Sequence, residues 1–332
     1  MCAESATSDE RTHTLLIAPD SFKGTFSAGD VAAMIADGAG PGINADRCPL
    51  ADGGEGTLDV LLGALGGERI ERETHDPLGR PIVAELGLLG GTAIVEVAAA
   101  SGLCLLAPGE LDAEGASSTG TGELISAAVR AGAREILLAA GGSATSDGGL
   151  GAIEALGAAG GLRGAQLTVL CDVTTPFELA ADLYGPQKGA DEAAVGRLTA
   201  RLHAAAERLP RDPRAMPMGG AAGGLSGGLW AAFGARLVRG APFVMDAVGF
   251  GARLGRAGAV VTGEGRLDAQ TLEGKVVWEV ARRGRRASVP VHVLAGSCAL
   301  RAPELEALGV ASVREAGTPE LLRSAAAEID VA

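Results

Sequence analysis

The fold class is indicated most clearly by the segment EILLAAGGSATSDGGLGAIEAL, residues 135–156. The segment begins with an apolar run typical of a buried strand, continues through a glycine-rich polar loop, and ends with apolar residues at helical spacing. A strand that leads through such a loop into a helix is the repeating unit of a parallel sheet covered by helices. The same order recurs at residues 14–35 and 257–282. The sequence therefore predicts an α/β protein.

Two domains are expected from the length of 332 residues, since a domain typically holds about 100–200 residues. The β-loop-α pattern near the N-terminus returns near the C-terminus. We therefore predict a doubly wound parallel-sheet domain, flavodoxin-like or Rossmann-like, from residues 14–75 and 243–332. A second α/β domain, residues 76–242, is predicted to be inserted in it, and the turn cluster DPLGRP at 76–81 is the predicted crossing. Residues 1–13 are predicted to form a disordered tail.

The composition argues against several kinds of partner. A net charge of −13 disfavours binding to nucleic acid, which is a polyanion. No apolar run reaches the ~18 residues of a membrane span, and the first residues contain no apolar stretch like that of a signal peptide. The five cysteines are odd in number and include no C-x-x-C pair, which fits a reducing compartment. We expect a cytoplasmic protein without a membrane or nucleic-acid partner, and homodimer formation is left open.

Lysine is rare in this chain, and its positions are informative. Of the 28 basic residues, only Lys23, Lys188 and Lys275 are lysines, and each is next to a glycine. Chance explains any one of them, but the three together favour contacts with phosphate, because lysine offers a compact charge that arginine does not match. We predict catalytic contacts for Lys23 and Lys188 and a nucleotide-phosphate contact for Lys275.

The loop at residues 141–149 is a candidate phosphate cradle. Glycines let the backbone turn its N–H groups toward one point, and the following helix adds the positive end of its dipole. A tight strand-to-helix turn capped by Ser146 or Asp147 is the structural alternative. The residues predicted to bind phosphate or nucleotide here are Gly141, Gly142, Ser143, Thr145 and Ser146.

Acidic residues follow the predicted strands, at the edge where parallel sheets bind their ligands. Asp172 directly follows an apolar strand, so its carboxylate suits Mg²⁺ binding or proton removal from a hydroxyl. A turn aspartate that caps its own backbone is an equally good interpretation. Asp147 is predicted to assist Asp172 at the reaction centre. The predicted metal ligands are Asp172, Glu264 and Asp268, and substrate binding is predicted for Asp20, Ser21, Asp52, Glu55 and Arg266.

Several catalytic signatures are absent from the sequence. No G-x-x-x-x-G-K-[ST] motif occurs, since Lys275 is followed by Val276, so the chain is not a P-loop enzyme. The H-R-D and D-F-G motifs of protein kinases and the G-x-S-x-G motif of hydrolases do not occur either. The four histidines show no triad or metal-binding spacing and are interpreted as structural or incidental.

Ten segments of the chain resemble, in the same order, segments of the bacterial type 1 glycerate kinases. The segments are APDSFKG (18–24), PLADGGEGT (49–57), DPLG (76–79), AASG (99–102), GTGE (120–123), GGSATSDGG (141–149), CDVT (171–174), YGPQKGA (184–190), AAGGL (221–225) and TGEGRLD (262–268). Ten ordered segments are far more specific than one glycine-rich loop.

The resemblance implies a kinase that phosphorylates D-glycerate with ATP and Mg²⁺, with 2-phosphoglycerate as the favoured product. It also implies a fold in which one α/β domain is inserted in another. Two alternatives stay open: a kinase for another small sugar acid, and a non-catalytic sensor that binds glycerate or a nucleotide. The link at residues 157–166 is shorter than is usual in the family, so we expect part of the inserted domain to be trimmed.

Overall fold

Residues 13–331 are described by a computed structural model, in which the chain forms two compact units. The first unit combines the chain up to Asp52 with the chain from Ala241 onward, and the second is the continuous segment Gly53–Gly240. Most of the predicted tail, residues 1–12, lies outside the described part. His13 lies inside it, and its backbone carbonyl accepts a hydrogen bond from the amide of Asn44 (2.7 Å).

The secondary structure of the described residues alternates between strands and helices. The strands are β1 (Thr14–Ile17), β2 (Asn44–Arg47), β3 (Glu68–His75), β4 (Pro81–Leu89), β5 (Thr92–Glu96), β6 (Glu135–Ala139), β7 (Gln166–Cys171), β8 (Arg236–Arg239), β9 (Ala259–Leu267), β10 (Val291–Cys298) and β11 (Ser312–Glu315). The α-helices are α1 (Ala28–Gly38), α2 (Thr57–Leu65), α3 (Ala98–Ser101), α4 (Thr119–Arg130), α5 (Leu150–Ala158), α6 (Ala180–Tyr184), α7 (Glu192–Arg208), α8 (Leu225–Phe233), α9 (Gly240–Ala247), α10 (Phe250–Leu254), α11 (Val276–Ala287), α12 (Ala302–Leu308) and α13 (Pro319–Ala327).

The first unit is built on a five-stranded parallel sheet in the order β11-β10-β9-β1-β2. Leu294 packs in one apolar cluster with Leu15 and Ile35, whereas its neighbour Val293 packs in another with Val277. Because successive side chains of a strand point to opposite faces, the two clusters cover opposite faces of the sheet. The predicted α/β, doubly wound fold class is confirmed.

Helix α1 begins at a capping box formed by Ser27 and Asp30. The Ser27 hydroxyl accepts a hydrogen bond from the amide of Asp30 (3.1 Å), and the Asp30 carboxylate accepts one from the amide of Ser27 (3.3 Å). Buried Val31 and Ile35 on the next turns then join the apolar cluster of β1. The cap therefore fixes where the chain leaves the loop after β1, and that loop lines the pocket described below.

The second unit is built on a six-stranded mixed sheet in the order β3-β4-β5-β6-β7-β8. Strands β5 to β8 are parallel, whereas β3, β4 and β5 pair in antiparallel fashion. The buried residues Val95, Leu138 and Val169 of the parallel part pack with Leu124 of α4 and Leu225 of α8. Because the parallel strands point the same way, the residues that follow β5, β6 and β7 emerge at one edge of the sheet.

The first boundary between the units differs from the predicted one. Strand β3 pairs along its whole length with β4, from Glu68 opposite Leu88 to His75 opposite Pro81, so the segment from Gly53 to His75 belongs to the second unit. The DPLGRP cluster is the turn of this hairpin and not a crossing between domains. The Asp76 carboxylate shapes the turn by accepting the amides of Leu78 and Arg80, each at 2.9 Å.

Strand β9 is longer than the sequence predicted. The sequence pattern predicts that the strand ends at Thr262 and that residues 263–274, which hold most of the TGEGRLD motif, form a loop, but Glu264 and Arg266 lie on β9 and pair with Ala295 and Ser297 of β10. Gly263 and Gly265 permit this extension because a side chain at either position would press against a neighbouring backbone. The charged side chains of the motif therefore project from a rigid strand.

Two further sequence expectations concern the whole described chain. In residues 13–331 we find no helix that combines the length and the apolar character needed to cross a membrane. The described cysteines, Cys48, Cys104, Cys171 and Cys298, are free thiols.

Candidate active site

A pocket of about 450 Å³ lies at the carboxyl edge of the parallel sheet in the first unit. It is formed by the loop after β1, by Asp52 after β2, by the end of β9 and the segment that follows it, and by residues 296–297 of β10. Many of the predicted site residues line this one pocket: Asp20, Ser21, Lys23, Asp52, Glu264, Arg266, Asp268 and Lys275. Residues for which substrate, phosphate, metal and catalytic roles were predicted separately thus line the same pocket.

Two buried aspartates form the floor of the pocket. Asp20 is 5% exposed and Asp52 is 2% exposed, and the ammonium of Lys23 lies 3.2 Å from a carboxylate oxygen of Asp52. The Asp20 carboxylate accepts the amide of Ser21 at 2.7 Å. Burial raises the pKa of Asp20 well above its usual value, and the nearby charge of Asp52 adds to the increase. This acid therefore suits a ligand that supplies a hydrogen bond or a positive charge.

Glu264 is the third buried acid of the pocket, at 9% exposure. One oxygen, Oε1, accepts a hydrogen bond from the hydroxyl of Thr271 at 2.6 Å. Burial raises the pKa of Glu264 to about 7, against the opposing effects of the Thr271 hydrogen bond and the charge of Lys275. Lys275 in turn donates to the side-chain oxygen of Gln270 at 3.1 Å.

This arrangement combines cations with buried hydrogen-bond acceptors. The ammonium groups of Lys23 and Lys275 and the guanidinium of Arg266 suit a carboxylate or a phosphate. The carboxylates of Asp20, Asp52 and Glu264 suit hydroxyl groups. A small acid that also carries hydroxyls therefore matches the pocket in charge and in hydrogen bonding.

The predicted metal ligands are divided between the two units. Glu264 and Asp268 line the pocket of the first unit, whereas Asp172 follows β7 in the second. Within residues 13–331, no group of three or more His, Cys, Asp or Glu side chains could hold a metal ion unaided. Mg²⁺ is commonly bound by one or two carboxylates together with waters and phosphate oxygens, so the donor pair of Glu264 and Asp268 fits an ion that arrives with a phosphate.

The glycine-rich loop at residues 141–149 joins β6 to α5 in the second unit, as predicted. Gly148 and Gly149 have φ of 67° and 77°, which lets the chain turn directly into α5. The hydroxyls of Thr145 and Ser146 are buried and have no hydrogen-bond partner. A loop with two unsatisfied hydroxyls at a helix N-terminus fits the predicted phosphate cradle, because a phosphate accepts hydrogen bonds.

Lys188 lies behind this loop and is only 2% exposed. Its ammonium donates to the hydroxyl of Ser143 (2.9 Å) and to the backbone carbonyl of Thr145 (2.6 Å). Burial lowers the pKa of Lys188 to about 7, partly opposed by the charge of Asp147. In this position Lys188 holds the shape of the loop, and its contact with a phosphate stays a prediction.

Asp147 is engaged by four hydrogen bonds. Its Oδ2 accepts the amide and the hydroxyl of Ser118 at 2.9 and 2.7 Å and the amide of Gly151 at 3.2 Å. Its Oδ1 accepts the amide of Gly149 at 3.0 Å. These contacts favour the alternative interpretation of Asp147 as a cap of α5 that also fixes the start of α4.

Asp172 is partly buried directly after β7, and its catalytic role stays a prediction.

Glu55 and Glu96 lie near each other in the second unit. Glu55 is exposed in the loop before α2, and the backbone of this loop packs against Gly141, where a Cβ would lie 2.6 Å from the Cα of Gly54. Glu96, the last residue of β5, accepts the amide of Leu58 at 2.8 Å, and burial raises its pKa to about 7. Glu96 is not among the residues predicted from the sequence, although it ends an apolar strand and Asp172 was predicted because it follows one.

The chain is similar to kinases over most of its length. A model of the glycerate kinase family matches residues 15–162 and 159–328. A glycerate kinase of Halalkalibacterium halodurans is 38% identical over 325 residues, which cover 86% of each chain. The glycerate 2-kinase of Escherichia coli is 37% identical over 323 residues, which cover 85% of each. Among solved structures, a proposed glycerate kinase 2 from Salmonella typhimurium aligns with a TM-score of 0.78 at 36% identity, covering 94% of this chain and 96% of its own.

These similarities and the fold define a two-unit α/β enzyme of the phosphotransferase class. The chain belongs to the glycerate kinase family, so the resemblance predicted from ten short segments is confirmed. The two parts of the family match overlap at residues 159–162, inside the short link between α5 and β7.

Proposed function

We propose that the protein catalyses the ATP-dependent phosphorylation of D-glycerate and releases 2-phosphoglycerate. The proposal is carried by the pocket of the first unit, in which cations and buried carboxylates face one cavity. The name of the Escherichia coli relative, glycerate 2-kinase, supports the choice of hydroxyl. The reaction uses small soluble molecules, in keeping with a cytoplasmic enzyme of net charge −13 that has no nucleic-acid or membrane partner.

The pocket suits glycerate in both charge and size. The carboxylate of glycerate would meet Lys23 or Arg266, and its two hydroxyls would meet the buried acids Asp20, Asp52 and Glu264. A cavity of about 450 Å³ has room for a three-carbon acid and a phosphoryl group. Phosphoryl transfer depends mainly on positioning and on stabilising charge, and fixed cations around the acceptor supply both.

ATP and Mg²⁺ are the proposed co-substrate and cofactor. The loop at residues 141–149 would hold phosphate groups through backbone N–H groups and the hydroxyls of Thr145 and Ser146. Among the predicted metal ligands, Asp268 lines the pocket and would supply a carboxylate oxygen for Mg²⁺ together with phosphate oxygens and waters, which leaves Glu264 for a substrate hydroxyl. When bound, Mg²⁺ neutralises charge on the transferred phosphoryl group.

The test is ATP turnover by the purified protein with and without D-glycerate, with the product identified by phosphorus NMR. We expect glycerate-dependent ADP release and a single resonance of 2-phosphoglycerate. Equal kcat/KM for glycerate and a four-carbon aldonate would favour the broader sugar-acid kinase. Glycerate binding without turnover would favour the sensor. L-Glycerate serves as the matched substrate control for stereochemistry.

A further inference from the structure

A short segment after β9 connects the pocket to a buried hydroxyl that no sequence motif indicated. A capping box at Asp268 and Thr271 starts a 3-10 helix at Ala269–Glu273. Thr271 is completely buried, and its hydroxyl oxygen accepts the amide of Asp268 at 3.1 Å. The same hydroxyl lies 2.6 Å from Oε1 of Glu264. Because the amide can only donate, the single proton of the hydroxyl is directed to Glu264.

Glu264 is consequently held at both ends. Its backbone is fixed in the sheet, where it lies opposite Ala295 of β10. Its carboxylate is fixed through Oε1 by Thr271, which does not itself line the pocket. Glu264 does line the pocket, so Oε2 is the oxygen left for a ligand. A carboxylate with one oxygen committed to the protein presents the other in a single direction, which is the condition for precise recognition of a hydroxyl.

We infer that Thr271 is a positioning residue that holds Glu264 so that Oε2 accepts a hydrogen bond from one hydroxyl of the hydroxy-acid substrate. This inference rests on the proposed function and adds the source of its selectivity. A buried acceptor that is built for a hydroxyl discriminates strongly against an analogue that lacks the hydroxyl, because the acceptor is then left unpaired. The recognition would weaken if the carboxylate could rotate.

The variants Thr271→Val and Thr271→Ser test the inference. Valine keeps the shape of threonine and removes the hydroxyl, whereas serine keeps the hydroxyl. The measurements are the KM for D-glycerate and the inhibition constants of D-lactate and 3-hydroxypropanoate, each of which lacks one hydroxyl of glycerate. We expect Thr271→Val to raise the KM about tenfold, the usual cost of one hydrogen bond. The analogue that lacks the recognised hydroxyl should bind as well as before, and Thr271→Ser should resemble the wild type.

A matched control is Thr199→Val on α7, which removes a hydroxyl that donates to the carboxylate of Asp182 on α6 (3.0 Å), outside the pocket. It should leave all three constants unchanged. If Thr271→Val weakens glycerate and both analogues in proportion, Thr271 only supports the fold and the inference is overturned. If Thr271→Val changes only the dependence on Mg²⁺, Glu264 serves the metal and the inference is also overturned. Loss of the proposed function would show differently, as absence of turnover in the wild type.

Discussion

The two units use the same kinds of residue in opposite ways. In the first unit the side chain of Lys23 is 59% exposed and pairs with Asp52 at the wall of an open pocket. In the second unit Lys188 is buried and donates to Ser143 and Thr145. A lysine beside a glycine thus lines an open pocket in one unit and is buried in the other. Burial and partners, which only the fold determines, separate the two roles.

The carboxylates show the same contrast. Asp20 and Glu264 each have one oxygen bonded to the protein and line a cavity. Asp147 has both oxygens occupied by N–H and O–H donors of its own unit. We therefore expect substitutions in the first unit to affect kinetics more than stability. Substitutions at Lys188 and Asp147 should do the reverse, and Asp172 is the residue of the second unit for which we expect a kinetic effect.

The largest effect is expected for Asp172→Asn, which keeps the shape of the side chain and removes its charge. As a metal ligand or general base, Asp172 should lower kcat by ~10²-fold or more when neutralised, and the dependence on Mg²⁺ should weaken. Steady-state kinetics and a melting curve check this together. A lowered melting temperature with normal kcat would show that Asp172 is a turn residue and would leave the second unit without a kinetic role.

A smaller kinetic effect is expected for Lys23→Ala. Removing a cation from a partly open pocket should lower kcat/KM by ~10–100-fold, while the melting temperature changes little. Lys23→Arg keeps the charge and should recover part of the loss, since arginine differs from lysine in shape and hydration. Wild-type kinetics in Lys23→Ala would mean that Lys23 is a surface cation, and the contrast with Lys188 would disappear.

Asp147→Asn should reduce stability more than activity. One buried acceptor oxygen would be replaced by an NH2 group that faces N–H or O–H donors, and we expect the free energy of unfolding to fall by roughly 2 kcal/mol. Denaturant titration measures the loss, and kcat of the folded enzyme should stay near that of the wild type. Asp191→Asn is the matched control, because Asp191 is exposed and caps α7 by accepting a single amide, that of Ala194 (2.7 Å). Equal losses of unfolding free energy in both variants would contradict the structural role that we assign to the buried hydrogen bonds of Asp147.

The last prediction concerns Lys188 and an effect that is seen only when the pH is varied. Burial lowers the pKa of Lys188 to about 7, whereas an unfolded lysine titrates near ~10.4. Between these values the unfolded chain binds more protons than the folded chain, so this residue makes stability rise with pH, by up to about 1.4 kcal/mol per pH unit. Lys188→Met lacks this dependence.

Urea unfolding of wild type and Lys188→Met at about pH 7.5 and about pH 9.5 should therefore show a difference in unfolding free energy that moves in favour of the wild type as pH rises. Parallel pH profiles for the two proteins would mean that Lys188 keeps its proton in the folded state because a nearby negative charge stabilises its ammonium group.

The strands and helices that depend on local pattern could be predicted from the sequence. Candidate site residues could be predicted from the rule that ligands gather at the carboxyl edge of parallel strands. Asp20, Asp52 and Glu264 are far apart in the chain, and the rule explains why they line one pocket, although the two aspartates were predicted to bind substrate and Glu264 was predicted to bind the metal. The hairpin of β3 and β4 was missed because β3 reads ERIERETH, which lacks an apolar face; as an edge strand it is mostly exposed. The burial of Lys188 could not be predicted either, because its partners Ser143 and Thr145 lie 45 and 43 residues earlier in the chain.

The second unit is inserted in the sequence of the first, and this insertion also affects the order in which the chain can fold. Strand β1 pairs with β2 on one side and with β9 on the other, and the hydroxyl of Thr262 on β9 reaches back 244 residues to the carbonyl of Ala18. At a synthesis rate of about 5–20 residues per second, roughly 10–50 seconds pass between the synthesis of β1 and that of β9. The second unit is synthesised within this time, while the apolar strand β1 still lacks its β9 partner. The nascent chain therefore carries an unpaired strand edge through most of its synthesis, the kind of edge that can pair with another chain.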